Sequence, residues 1–304
     1  MGSAVLDALT IHRALGDQSR LRIVGLLRDH GPLDVRAVAA RVALHQNTVR
    51  DHLSVLVGAG LVRTRSERRG GAGRPPALYE IADRAEHWML PLRFERLPED
   101  EAAAHSRAFL ELMTARRSVR EFSSDPVPHE LVANAVRTAA TAPSGANRQP
   151  WRFVVVSDPA VKARIRAAAE HEEERFYAQR ANEEYLRAIA PMGVTPVKPH
   201  LTDAPYLIAV FQQPWGLDET GDKVKHYYVR ESVGIAVGLL LASLQAAGLA
   251  TLPYAPSPMG FLNDILGRAE NERPFLLVAV GYPAADAQVP ALPRKPETDL
   301  VDFV

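Results

Sequence analysis

The chain has 304 residues, 47% of them hydrophobic and 24% charged, a length that favours two domains of unequal size and a composition that excludes a disordered or fibrous protein. Its 36 Lys and Arg balance 36 Asp and Glu, yet residues 1–83 hold twelve Arg, no Lys and eight Asp or Glu, so this end leans basic by about +4. With no cysteine, disulfides, thiolate nucleophiles, Cys-ligated zinc and iron–sulfur clusters are excluded, and any redox chemistry requires a bound organic cofactor.

Apolar positions at helical spacing predict helices over 5–15, 21–27 and 35–42, with Asp17 and Asp34 placed as N-caps. The next helix begins near Gln46 and turns Val49, Leu53, Leu56 and Val57 inward, leaving Gln46, Asn47, Thr48, Arg50 and His52 on its other faces. After Gly58-Ala59-Gly60 the pattern alternates over 61–65, passes a Gly-rich stretch ending at Pro76, and alternates again over 77–81, which predicts a two-stranded wing. "RGGAGRPP" (69–76) looks like a phosphate-cradling loop, but it lies between two strands rather than between a strand and a helix, which argues against a nucleotide role. The mixed Arg, Glu, Pro and Ala stretch that follows predicts a linker over 84–106, separating a domain at 1–83 from one at 107–304.

Beyond the linker, strands at 153–156, 206–211 and 275–280 alternate with helical patterns at 128–141, 158–185, 228–247 and 259–268, the signature of an α/β domain with a central sheet. The longest apolar run, 233–252, is interrupted by Ser243, Gln245 and glycines and predicts a buried helix rather than a membrane span. No cationic segment followed by an apolar one opens the chain, so a cytoplasmic protein without membrane association is expected. No His, Asp and Glu cluster has metal-ligand spacing, so no metal site is predicted, and His226 beside Tyr227 and Tyr228 reads as packing.

Residues 14–81 resemble winged-helix regulators of the arsenical-repressor type. The likeness rests on the ordered combination of "LGDQSRLRI" (15–23), a two-helix unit, and "HLSVLVGAGLV" (52–62) leading into a basic hairpin. Gln46, Asn47, Thr48 and Arg50 near a helix N-terminus can donate to base edges and phosphates in a major groove. Arg65, Arg68, Arg69 and Arg74 around the Gly-rich turn suit phosphate or minor-groove contact. The plainer alternative is a capped surface helix and a solvated basic loop.

From 107 onward the chain resembles the nitroreductase family, and within it the iodotyrosine deiodinases. The landmarks are "RRSVREF" (116–122), "APSGANRQPWRFVVV" (142–156), "EEERFY" (172–177), "KPHLTDAPYLI" (198–208), 223–251, "VGYP" (280–283) and "VPALPRKP" (289–296). The resemblance implies FMN, with Arg116, Arg117, Ser118 and Arg294 on its phosphate end and pyrimidine side, Arg120 in support, and Pro143 and Ser144 lining the ring. A dianionic phosphate demands cations and fixed donors, and these residues supply them.

Glu173 and Tyr177 are four apart and share a helical face. By themselves they read as part of the exposed charged run 172–185. The resemblance implies instead that they join Lys198 in a lid that clasps the ammonium and carboxylate of a halotyrosine, with the backbone at Gly145 and Ala146 receiving its phenolate. It departs at Ala255 in "LPYAPSP" (252–258), where the deiodinases carry a threonine whose hydroxyl bonds flavin N5. Alanine cannot donate, which favours two-electron hydride chemistry or no turnover over one-electron dehalogenation, unless a backbone N–H takes the role.

The expected fold is therefore α+β with two domains: a winged helix-turn-helix, then a nitroreductase-like domain with a central mixed sheet, assembled as an intertwined homodimer. The expected function is an FMN-containing transcriptional regulator that binds a pseudo-palindromic operator on double-stranded DNA and senses redox state or a tyrosine-like aromatic ligand. The alternative is an FMN-dependent oxidoreductase, halotyrosine-dehalogenating or nitroreducing, with a reduced nicotinamide as donor and a DNA-tethering domain.

Overall fold

The computed structural model describes residues 8–66, 77–82, 94–218 and 220–304. The chain divides into two compact units, 1–96 and 97–304. In the first, α1 (Ala8–Leu15), α2 (Gln18–His30), β1 (Leu33–Asp34), α3 (Val35–Val42) and α4 (Gln46–Gly58) precede β2 (Val62–Ser66) and β3 (Ala77–Ile81). Both predicted caps are present: Asp17 Oδ1 accepts from the backbone N–H groups of Ser19 (2.8 Å) and Arg20 (3.1 Å), and Asp34 Oδ1 from that of Ala37 (2.7 Å). Each satisfies donors that a helix start leaves orphaned.

Val49, Leu53 and Leu56 of α4 are fully buried with Ile23, Leu27 and Val38 in one core, each such side chain contributing about 1.5–3 kcal/mol by burial. Val57, predicted to face inward, is 36% exposed. The 100° advance per residue carries it past the buried stripe that Leu56 closes. β3 pairs antiparallel with both β1 and β2, in a three-stranded sheet of order β1-β3-β2.

The second unit opens with α5 (Glu99–Ala115), whose first turn holds Glu99, Asp100 and Glu101, charges that suit a helix N-terminus. Residues 99–106, predicted as linker, are thus the first half of a helix. No residue of α5 is buried, so apolar patterning carries little signal there. Then follow α6 (His129–Ala139), β4 (Trp151–Val156), α7 (Pro159–Gln179), α8 (Glu183–Ile189), α9 (His200–Asp203) and β5 (Tyr206–Gln212). After these come β6 (Trp215–Leu217), β7 (Lys223–Lys225), α10 (Val229–Ala246), β8 (Ala250–Tyr254), α11 (Phe261–Leu266) and β9 (Arg273–Gly281). The single helix predicted over 158–185 breaks because Asn182 caps α8, its Oδ1 accepting from the Tyr185 N–H at 2.8 Å.

The central sheet has the order β4-β5-β9-β8 with antiparallel ladders throughout, and a parallel bridge from Ser118 to Thr251 makes it mixed at the β8 edge. β5 is buried on both faces, which is why its sequence is a continuous apolar run rather than an alternation. α6 and α10 pack on one face, through Val132, Ala135, Val233, Ala236 and Leu240. α7 and α11 pack on the other, through Ile165, Ala169 and Leu262. Buried Lys162 ties α7 to the entry of β5 by donating to the carbonyls of Ala204 (2.7 Å) and Thr202 (3.1 Å).

α10 is long and apolar enough to cross a membrane by length and composition. Val233, Ala236, Val237, Leu240 and Leu244 on one side of it are in the core, while Gly234, Ile235 and Gly238 on the other are exposed. His226, expected in the core, is half-buried and holds the Gln213 carbonyl oxygen 2.7 Å from its Nδ1. Tyr227 and Tyr228 beside it are 50% and 73% exposed, because the chain turns left-handed at Tyr228 to start α10.

Candidate functional sites

In the first unit, the exposed side of α4 carries the predicted donors. Asn47, Thr48 and Arg50 are exposed and Gln46 half-buried, while Val49 between them is fully buried and fixes the helix against the core. His45 caps α4, its Nδ1 accepting from the Asn47 N–H at 3.3 Å. Arg50 is held along the helix by Asn47 Oδ1 at 2.7 Å, an exposed contact that a base edge or phosphate can replace. Arg65 is exposed on β2 and lies 4.0 Å from Glu80, whose other carboxylate oxygen pairs with Arg63 at 2.7 Å. Arg68, Arg69 and Arg74 lie outside the described residues.

In the second unit, the segment after α5 and the C-terminal segment 289–294 enclose a cavity of about 260 Å³. Arg116, Arg117, Ser118, Arg120 and Arg294 all line it. Arg294 is set by the carbonyls that end α5, donating to Thr114 (2.9 Å) and Arg116 (3.0 Å), where a cation is favoured by the helix dipole. Arg117 donates to the carbonyl of Pro290, joining the two walls. The Val119 N–H donates to the Thr251 carbonyl at 3.1 Å and fixes the segment to β8. Four guanidinium groups and a hydroxyl around one cavity form a donor set suited to a buried dianion.

A second cavity, of about 380 Å³, shares Arg120, Met192 and Pro290 with the first and is also lined by Thr195, Lys198, His200 and Gln288. Lys198 is 2% exposed and is the best-anchored of the predicted clasp residues. Its backbone N–H donates to Glu170 Oε1 at 2.6 Å, and its Nζ lies 3.1 Å from Glu173 Oε2 and also donates to the Thr195 carbonyl. Burial opposes the charged form of Glu170, but the Lys198 N–H and the Arg166 side chain outweigh it and hold the carboxyl below its ordinary value. Tyr177 belongs to the same group: burial, and then the Glu173 carboxylate, push its phenol up to about 12, so it stays protonated and can donate. Glu173, Tyr177 and Lys198 thus assemble from α7 and the loop before α9.

Pro143, Ser144, Gly145 and Ala146 do not line either cavity; they form the turn between α6 and β4. Ser144 Oγ accepts from the Gln149 N–H at 2.9 Å, and Ala146 is left-handed at φ 51°. Gly145 is required there, since a Cβ would sit 2.7 Å from the Tyr227 carbonyl oxygen. Ala255 follows β8 directly and is exposed.

Two residues of the site escape sequence patterning. His200, 5% exposed, lines the larger cavity, and its Nε2 is buried with no hydrogen-bond partner among the described residues. Burial, and after it the charges of Lys198, Arg120 and Arg166, lower its pKa to about 4, so the ring is neutral at pH 7. Tyr254 ends β8, stacks edge-on against His200 at 5.6 Å and donates to Glu173 Oε1 at 3.1 Å. The usable signal was placement: one lies two residues after Lys198, the other one residue before Ala255.

A four-stranded α/β core with a cation-lined double cavity, preceded by a helix-turn-helix unit, defines the class. Residues 113–282 match the Nitroreductase family and residues 15–65 a helix-turn-helix domain, and the chain belongs to the nitroreductase family. Within it, the chain is 52% identical over 207 residues to an iodotyrosine deiodinase of Haliscomenobacter hydrossis, covering 68% of this chain and 93% of that protein. It is 40% identical over 250 residues to iodotyrosine deiodinase 1 of Homo sapiens, covering 78% and 86% respectively. A crystal structure of oxidized iodotyrosine deiodinase bound to FMN and 3-iodo-L-tyrosine superposes with a TM-score of 0.57 at 32% identity, covering 64% of this chain and 98% of that one.

Proposed function

We propose that the protein is an FMN-containing, DNA-binding transcriptional regulator whose nitroreductase domain senses redox state or a tyrosine-like ligand. The observation that carries this is one chain holding both exposed Asn47, Thr48 and Arg50 on α4 and a Glu173–Lys198 ion pair at the larger of two adjoining cavities, the smaller of which is lined with arginines. In this reading residues 1–83 are the DNA-binding domain and 107–304 the flavin domain. α4 enters the major groove and the β2–β3 hairpin is the wing, with Arg65, Arg68, Arg69 and Arg74 on phosphates.

The donor set of the smaller cavity fits the phosphate of FMN. Arg116, Arg117, Ser118 and Arg294 would hold the phosphate end, with Arg120 in support. Bound FMN would supply electron or hydride transfer to an aromatic ligand. Glu173 would take the ligand's ammonium, and Lys198 and Tyr177 its carboxylate. Pro143, Ser144, Gly145 and Ala146 would complete the site across a two-fold axis. The exposed apolar faces of α10 (Ile235) and α5 (Phe109, Leu110) support such a homodimer, which would read a pseudo-palindromic operator in the cytoplasm. Footprinting of the protein's own promoter should change on flavin reduction or on adding 3-iodo-L-tyrosine, and Lys198→Ala should lose only the ligand response. Constant occupancy under every condition would sink the sensing reading.

A second reading, an FMN-dependent oxidoreductase recharged by reduced nicotinamide, is supported by the assembly of Glu173, Tyr177 and Lys198 into one group. Ala255, whose side chain cannot donate to flavin N5, favours two-electron reduction over one-electron dehalogenation in that reading. Rapid-mixing oxidation of the reduced protein by halotyrosines or nitroaromatics, against buffer alone, decides it.

A further inference from the structure

We propose that Tyr254 is a positioning residue of the amino-acid clasp: it holds the Glu173 carboxylate on one oxygen so that the other can exchange Lys198 for a ligand's ammonium. The inference rests on the tyrosine-like-ligand reading above and deepens it. The two oxygens of Glu173 are divided. Oε1 accepts from the Tyr254 hydroxyl at 3.1 Å, and Oε2 lies 3.1 Å from Lys198 Nζ.

The Tyr254 side of this arrangement is the rigid one. Tyr254 belongs to β8, paired along its length with β9, and its ring is braced edge-on by buried His200. Burial, followed by the Glu173 charge, raises its pKa, so the phenol keeps its proton and remains a donor. On the Lys198 side only the ammonium contact need change: the backbone stays held by Glu170, while Nζ, shared between Glu173 Oε2, the Thr195 carbonyl and the face of the Tyr254 ring 5.5 Å away, ends a flexible four-carbon stem that can swap one carboxylate for another. An α-amino acid brings one charge of each sign, so its carboxylate can take Lys198 while its ammonium takes the freed Oε2, and no buried charge is left unpaired. Tyr254 keeps Glu173 aimed throughout. A second contact, Arg180 Nη2 to the Ser257 carbonyl at 2.6 Å, ties the C-terminal end of α7 to the segment that follows β8. The Glu173-bearing part of the helix is therefore seated before a ligand arrives.

The test uses full-length FMN-loaded protein and Tyr254→Phe, which keeps the ring and removes the hydroxyl. Flavin fluorescence titrations with L-tyrosine and with 3-(4-hydroxyphenyl)propionate, which lacks the ammonium, report the two affinities. Tyr254→Phe should weaken L-tyrosine about tenfold and leave the propionate unchanged. Amide exchange over 172–179 in the ligand-free protein should quicken in the variant. An unchanged ratio of the two affinities overturns the proposal. If the wild type binds neither phenol, the tyrosine-like-ligand reading falls by itself and exchange decides the role of Tyr254: faster supports its hold on Glu173, unchanged overturns it.

Discussion

The two units place their functional side chains in opposite ways. In the first, one short helix both anchors and presents: Val49, Leu53 and Leu56 hold α4 in the core while Asn47, Thr48 and Arg50 on the same helix face outward. In the second, no element is sufficient, because the cavities are closed by segments 116–120, 192–200 and 288–294, far apart in sequence. The lesson is that surface and core residues are separable in the helix-turn-helix, whereas in the flavin unit a change in one wall is felt in another.

The largest break in that comparison is Arg116→Ala with Arg117→Ala. Two charge-assisted contacts at about 1.5–3 kcal/mol each should lower FMN affinity at least a hundredfold by calorimetric titration. DNA binding by the first unit should persist if FMN is not itself the effector. Next comes Leu53→Ala, a fully buried truncation expected to cost roughly 2–5 kcal/mol. Two-transition calorimetry should show only the helix-turn-helix transition shifted; a shift of both would end the separation of the units.

Titration of His200 follows. Its folded pKa of about 4 lies below the ordinary 6.5, so between these values the unfolded chain binds the proton first. Stability of the flavin unit is therefore complete above 6.5 and falls as pH drops toward 4, by up to roughly 3 kcal/mol. Urea midpoints at pH 7 and 4.5 should converge in His200→Phe relative to wild type, and an equal acid loss in both would remove His200 as the cause. The smallest effect is Arg50→Ala, expected to cost about 1–3 kcal/mol of specific over nonspecific DNA binding with no change in flavin content. Competition gel shifts measure it.

Legibility followed the same division. Asp17 and Asp34 were readable as caps because a cap is a local device, and the α4 faces because period and polarity agree there. The first half of α5 was read as linker because the helix buries nothing in its own chain, so its apolar residues make no stripe. The close approach of Gly145 to Tyr227, where a Cβ would sit 2.7 Å from the carbonyl oxygen, joins segments far apart in the chain and leaves no pattern in the sequence. Arg116, Arg117, Ser118, Arg120 and Arg294 were visible through resemblance, and the structure adds why they converge: Arg294 donates to the carbonyls at the end of α5 and Arg117 holds Pro290.

By itself, then, the sequence determined two units, most of their longer helices, the strands β2, β3, β4, β5 and β9, the caps and the basic bias of the first. All of these are encoded in spacing, charge and short motifs. Only the tertiary structure decided that Glu173 and Lys198 pair, that Tyr254 takes the remaining carboxylate oxygen and that His200 is buried and neutral. Those facts depend on burial and on contacts between segments more than twenty residues apart, and neither quantity exists until the sheet has brought the segments together.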